Sequence, residues 1–356
     1  TTDHFDKFFN ASAEKYSLHT IREKITKTEK AELQALFEHA KQEINSVISQ
    51  IHEIYKDYDS ANFALGLFVK YLFSCFVDAD RLDAYLFDVN EQYEEPNVSW
   101  EHLIQVFEGR ISRFEIRNEM DMIRKSVSEK CRDAAERETG IYQLSVPTGG
   151  GKTFSSFRFA LHHAQRKGKK RIIYVIPYLS IIDQTARNLR EILGLQEDNL
   201  VIFEHHSNIM EPEDEEAAEI RKLTTARWDS PIIITTMVQF LETVMSSKSG
   251  KLRKLHSMAD SVIIFDEIQS IPVKAIHCFN EIVTFLSKIL NATVILCSAT
   301  QPAFEYTKRK NLMLSEPAKL IECRDDFKNM KRVTVCPVGE KDFESASDFI
   351  LEKAEE

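Results

Sequence analysis

The chain has 356 residues, 43% of them hydrophobic and 29% charged with both signs present; this balance excludes a disordered chain and leaves room for two domains of ordinary size. Its formal net charge of −10 excludes a simple basic nucleic-acid binder, because phosphate affinity comes largely from lysine and arginine, but not a motor that grips one strand through local contacts. The six cysteines, at 75, 131, 278, 297, 323 and 336, form no CxxC pair, which argues against a zinc site or a disulfide framework and for a reducing cytosol, hence a cytoplasmic protein.

The first residue is Thr1, not methionine, which points to sequence removed upstream. The opening residues also lack the basic, apolar, small-residue order of a secretion signal. From Leu18 to about Asp88 apolar residues recur at helical spacing, as in Leu33, Leu36, Phe37 and Ala40, then Ile44, Val47, Ile48 and Ile51, so this part is expected to be all-helical. The apolar stretch 63–77 is interrupted by Lys70 and falls short of the ~20 residues of a membrane span. It is expected to be a buried core helix, with no membrane as partner. The polar segment between Asp88 and Ser99, which contains Pro96, marks the expected domain boundary.

Beyond residue 100 the pattern changes to short β-branched runs, at 141–146, 171–176, 200–203, 232–236, 262–265 and 293–297, separated by helical stretches. Strands apolar on both faces that alternate with helices imply an α/β fold, a parallel sheet with helices on both faces. Such sheets bind ligands at the carboxyl ends of their strands. A last run at 332–336 and a helix at 343–353 close the chain. The acidic run at 211–216 reads as a solvated loop or helix face.

After the first strand comes Pro147-Thr148-Gly149-Gly150-Gly151-Lys152-Thr153, and then a helix over 154–166. Three glycines let backbone amides turn inward around a phosphate. The helix N-terminus adds partial positive charge, Lys152 neutralises terminal phosphate oxygens, and Thr153 offers a hydroxyl to magnesium. The strict GxxxxGK[ST] pattern would place glycine where Val146 stands, so the match is to a PTGGGKT variant. After the strand at 262–265 come Asp266-Glu267-Ile268-Gln269. Asp266 would hold magnesium through water, Glu267 would orient the attacking water, and Gln269 would couple this site to its neighbour.

At the other strand ends, Ser298-Ala299-Thr300 offers small hydroxyl groups between the nucleotide site and a nucleic-acid path. Pro177, Tyr178, Ser180 and Gln184, and Thr235 and Thr236, stand where helix N-termini and hydroxyls grip a phosphodiester backbone without reading bases. A cap or turn role competes equally for each. The pair His205-His206 followed by Ser207 reads as a surface or core-edge pair before it reads as a metal site, because no carboxylate or cysteine lies at ligand spacing on the same element.

Taken in order, PTGGGKT, IPYLSIIDQ, HHS, ITTMVQF, FDEIQ and SAT resemble the first RecA-like domain of superfamily 2 helicases. With the DEIQ variant and the preceding helices, the chain resembles the CRISPR-associated helicase-nuclease of type I interference, which degrades invader DNA. The resemblance implies a RecA-like domain over 100–325, the helical C-terminal part of an HD nuclease domain over 1–95, and the start of a second RecA-like domain or an extension over 326–356. It further implies ATP and Mg2+ as cofactors, single-stranded DNA as substrate and a CRISPR surveillance complex with guide RNA as partner. SCFVDADRLD at 74–83 resembles the closing helix of the HD domain, with Asp80 as a ligand of its divalent transition metal. No His-Asp dipeptide occurs anywhere, so a two-metal nuclease centre cannot be assembled from these residues. The family's second RecA-like domain brings arginines worth ~10³–10⁵ in rate in related phosphoryl transfer, so hydrolysis by this chain alone is expected to be poor. Asn118 and Arg124, upstream of the phosphate loop, stand where the family recognises adenine; a charged helix face accounts for them equally well. The rival readings are a metal-dependent HD phosphohydrolase or nuclease and a scaffold that kept the helicase fold without turnover.

Overall fold

The computed structural model describes residues 27–89, 99–196, 199–205, 227–299, 317–322 and 339–355. The β-branched runs form strands because their alternating side chains fill two separate apolar layers, one on each face of a sheet. In chain order these are β1 (Ile141–Ser145), β2 (Arg171–Ile176), β3 (Ile202–His205), β4 (Ile232–Thr236), β5 (Ser261–Phe265), β6 (Thr293–Ser298) and β7 (Ala318–Lys319). All pairings are parallel, in the order β3-β4-β2-β5-β6-β1-β7. Every carboxyl end therefore lies along one edge, and β1 and β5, which carry the phosphate loop and the acidic pair, are separated only by β6.

The third strand starts two residues later than its apolar run suggests, because Asn199 folds back to accept the Val201 amide at 2.9 Å and Leu200 is left exposed. The short edge strand β7 had no expectation attached to it. The run at 332–336 lies outside the described residues.

Helices cover both faces. On one lie α3 (Trp100–Ile111), α4 (Glu119–Asp133), α5 (Lys152–Lys167) and α6 (Leu179–Leu193), packed over Leu144, Ile172, Tyr174, Ile264 and Ile295. On the other lie α1 (Lys27–Ile54), α2 (Tyr58–Val89), α7 (Met237–Met245) and α8 (Val273–Lys288), packed over Ile173, Val175, Ile233, Ile263 and Leu296. A terminal helix, α9, spans Phe343–Glu355.

The two N-terminal helices do not form a core of their own. Ala61, Ala64, Leu67 and Phe68 of α2 are buried in the same cluster as Ile263 and Phe265 of the central strand. By length and composition the span Tyr58–Phe87 could cross a membrane; the helix expected to be a buried core helix is covered by the sheet domain on one face only, with Val69, Phe73, Phe76 and Phe87 exposed. Lys70, which interrupts the apolar run, donates to the Val244 carbonyl at 3.2 Å and the Met245 carbonyl at 2.9 Å, placing its charge at the carboxyl end of α7 where the helix dipole favours a cation. Two turns further, buried Asp78 accepts from Arg227 Nε at 3.0 Å and Arg253 Nε at 2.7 Å, with His256 Nε2 at 3.4 Å. Asp229 extends the cluster, accepting from Arg227 at 2.8 Å and Arg171 at 2.9 Å. These ion pairs pin α2 to the segments around Arg227 and Arg253, so the helical region and the sheet domain meet through both apolar and ionic contacts.

Candidate nucleotide-binding site

The loop between β1 and α5 takes its shape from glycine. Gly149 and Gly151 have φ of 84° and 80°, left-handed values that a side chain resists, and Gly150 closes the turn by donating to the Pro147 carbonyl at 2.9 Å. The Val146 amide is tied across to the Ser298 carbonyl at 3.2 Å, which fixes the loop to β6. Gly151 stands at the N-cap of α5 without a side-chain cap, so the first amides of that helix remain available to an anion. Arg124 braces the loop from α4: its Nε donates to the Gly149 carbonyl at 2.8 Å and its Nη1 pairs with Asp121 at 2.9 Å.

Lys152, the first residue of α5, reaches the end of β5. Its Nζ lies 3.0 Å from Asp266 Oδ1 and is hydrogen-bonded to Glu267 Oε1. Burial alone would lower the lysine's pKa, but the two carboxylates outweigh it and hold the ammonium above its usual value. Glu267 feels the converse: burial would raise its pKa, and hydrogen bonds from Lys152 and Gln269 bring it below the ordinary carboxylate range. Both groups are therefore charged at neutral pH. Glu267 has φ 47° and ψ 49°, a left-handed conformation uncommon for a non-glycine residue and characteristic of functional sites. Its amide donates to Asp266 Oδ1 at 2.9 Å.

Asp266 has one more partner. Tyr174 of β2, wholly buried, donates its phenol to Asp266 Oδ2 at 3.3 Å and stands 3.5 Å from Ser156 Oγ, close to the Thr153 side chain. Nothing in a motif pointed to this tyrosine. Its signal is a lone hydroxyl in the strand Arg171–Ile176, whose residues are all buried, since a buried phenol nearly always has a partner.

These groups open into a cavity of about 1180 Å³ whose walls include Thr148, Gly149, Gly151, Lys152, Thr153 and Glu267. Arg117, Arg124, Lys125, Arg132 and Arg158 line it, interspersed with Glu108, Glu115, Asp121 and Glu129. Gln184, expected on a nucleic-acid path, stands in this wall with Asn188. Asn118 uses its side-chain carbonyl to cap α4, accepting from the Asp121 amide at 3.0 Å, while Arg124 lies against the loop.

The other strand-end residues serve the fold visibly. The Thr235 hydroxyl donates to the His205 carbonyl at 3.0 Å, and Thr236 caps α7 by accepting from the Gln239 amide at 3.1 Å. Pro177 is half-buried and Tyr178 exposed; the Ser180 side chain, Thr300, His206 and Ser207 lie outside the described residues. Ser298 is buried and Ala299 half-buried. His205 is buried, stacked on Phe203 and edge-on to Trp228. Asp80 is exposed, whereas Asp78 two positions earlier is the buried carboxylate. Among the described residues no group of three His, Cys, Asp or Glu side chains is arranged to hold a metal.

A parallel sheet with a glycine loop on one strand and an acidic pair on another, one strand lying between them, defines a nucleoside-triphosphate-binding fold of the RecA-like kind. The sequence model of the DEAD/DEAH box helicases matches residues 120–308, more than half of the chain, and the chain belongs to that family. It is 27% identical over 180 residues to the CRISPR-associated nuclease/helicase Cas3 of Haloferax volcanii, a stretch covering 46% of this chain and 19% of that protein; the chain thus spans about a fifth of the length of this curated relative. Similar solved structures include T. fusca Cas3-AMPPNP, with 19% identity and a TM-score of 0.44 over 59% of this chain and 23% of that one. The Pyrococcus furiosus Hef helicase domain has 17% identity and a TM-score of 0.39 over 55% of this chain and 37% of that one.

Proposed function

We propose that this chain binds ATP with Mg2+ at the carboxyl edge of its sheet and supplies the nucleotide site of a helicase or translocase acting on single-stranded DNA. The observation that carries the reading is the convergence of Lys152, Asp266 and Glu267 at hydrogen-bonding distance beside an amide-rich glycine loop. Lys152 is held by two carboxylates, and a triphosphate offers it a denser negative charge, so nucleotide entry exchanges one set of ion pairs for another. The residues fit a magnesium ion: the Thr153 hydroxyl and the Asp266 carboxylate, the latter held by Tyr174, are hard oxygen donors, the ligand class Mg2+ takes. When bound, the ion neutralises charge that develops on the phosphates. Thr148 and the amides of Gly149, Gly150 and Gly151 surround the phosphates, Glu267 orients the attacking water, and Gln269 holds Glu267. Asn118 and Arg124 face the base side. Pro177, Tyr178, Ser180, Thr235 and Thr236 are proposed along the DNA path, and Ser298, Ala299 and Thr300 between path and nucleotide.

The setting proposed is CRISPR type I interference in the cytoplasm, with a surveillance complex and its guide RNA as partner and an HD nuclease in the intact protein; the relative from Haloferax volcanii, named a nuclease/helicase, supports it. Titration with a fluorescent ATP analogue and Mg2+ tests the site. Lys152→Ala is expected to weaken binding at least about tenfold, the worth of one charge-assisted contact. Equal binding by wild type and variant removes the phosphate-loop assignment. ATP turnover stimulated by single-stranded DNA, measured with a second RecA-like domain supplied, separates a motor from a scaffold.

A further inference from the structure

Asp266 has two oxygens in different company. Oδ1 receives Lys152 Nζ at 3.0 Å and the Glu267 amide at 2.9 Å, whereas Oδ2 receives the Tyr174 phenol at 3.3 Å. Strand register explains how a residue 92 positions away arrives there: Tyr174 pairs with Ile264 across β2 and β5. Side chains two apart share a face, so Tyr174 points to the same side of the sheet as Ile264 and the Asp266 that follows. That side is the one covered by α5, and the phenol ends beneath the first turn of that helix, beside Ser156 and the Thr153 side chain.

We propose that Tyr174 is a positioning residue for the nucleotide-bound Mg2+, fixing the Asp266 carboxylate in one arrangement before the ion arrives. The inference rests on the reading of this cavity as an ATP–Mg2+ site. When a triphosphate draws Lys152 away, Oδ1 loses its cation, and the Tyr174 hydrogen bond is the side-chain contact that remains to hold the carboxylate's rotamer. Outer-shell partners of this kind orient metal ligands, and their removal typically costs about 10–100-fold in metal affinity.

Tyr174→Phe removes the hydroxyl and keeps the ring that fills the core. Fluorescent ATP-analogue affinity would be measured with Mg2+ and with EDTA, alongside thermal unfolding of the free protein. The expected result is unchanged affinity in EDTA and a Mg2+-dependent gain reduced about tenfold. If the gain equals that of wild type, Tyr174 does not position the ion. A fall in both affinities by the same factor, tracking a lower melting temperature, makes it a packing residue only and also overturns the inference. Absence of any Mg2+-dependent binding by wild type overturns the functional reading itself, and the positioning role with it.

Discussion

Two ionic clusters in this molecule use the same chemistry to opposite ends. Around Asp78, two arginines and a histidine surround a carboxylate whose side chain is 9% exposed, and Asp229 continues the network to Arg171. At the sheet edge, Lys152 lies between Asp266 and Glu267, and the Glu267 side chain is 35% exposed and faces a large cavity. The first cluster is sealed between α2 and the sheet domain, so its charges cannot leave each other without being stranded in a poorly solvating interior. The second can exchange partners with an incoming anion, because water and the cavity reach it. Burial thus decides whether an ion pair is a fastening or a poised site.

That contrast is broken most forcefully at Asp78. Asp78→Ala leaves Arg227 and Arg253 facing each other in the interior and is expected to cost about 3–5 kcal/mol in urea unfolding; a loss below about 1 kcal/mol would mean that water already reaches this cluster. Acidification sharpens the picture at a buried group kept neutral. His163 donates through Nδ1 to the Ala135 carbonyl at 3.0 Å and meets Thr293 Oγ1 at 2.8 Å, and burial brings its pKa down to about 4. Unfolded, it titrates near ~6.5, so the unfolded chain binds the extra proton between these values. The stabilisation is complete above about pH 6.5 and is lost progressively as pH falls towards 4, with a limit of about 3 kcal/mol. His163→Gln should flatten the pH dependence of unfolding across that window, and an unchanged slope would assign it to other groups. The smallest effect is expected at the poised site: Glu267→Gln should alter the stability of the free protein by less than about 1 kcal/mol, since the replaced carboxylate borders the cavity and Lys152 keeps Asp266 as a partner. A larger loss would show that this cluster, too, fastens the fold.

What could be read from the chain follows the same physical line. β2 and β4 were legible to the residue because strands covered on both faces must be aliphatic throughout, and the phosphate loop because only glycine accepts the backbone at 149 and 151. The acidic pair was legible as an abrupt end to a strand of four apolar residues. Asp78 was not: the resemblance of 74–83 to the closing helix of an HD domain drew notice to Asp80, and only the arrival of Arg227 and Arg253 from far along the chain makes Asp78 the buried carboxylate. Tyr174 escaped because strand register, and not local pattern, brings it to Asp266. Thr235 and Thr236 carry the hydroxyls expected at a nucleic-acid path, yet backbone groups close by use them. That α2 and the sheet share one apolar cluster was not legible either, because it depends on which face of the helix is covered.

Of the two tryptophans in the chain, Trp228 is wholly buried, edge-on to His205, and stands between Arg227 and Asp229 of the sealed network. Trp100 is half-buried on the opposite face, its indole donating to the Lys169 carbonyl at 2.9 Å. The protein therefore carries its own optical gauge: a red shift in the emission of Trp228, read in a Trp100→Phe background, reports water entering the seam between the N-terminal helices and the sheet domain, with no label attached.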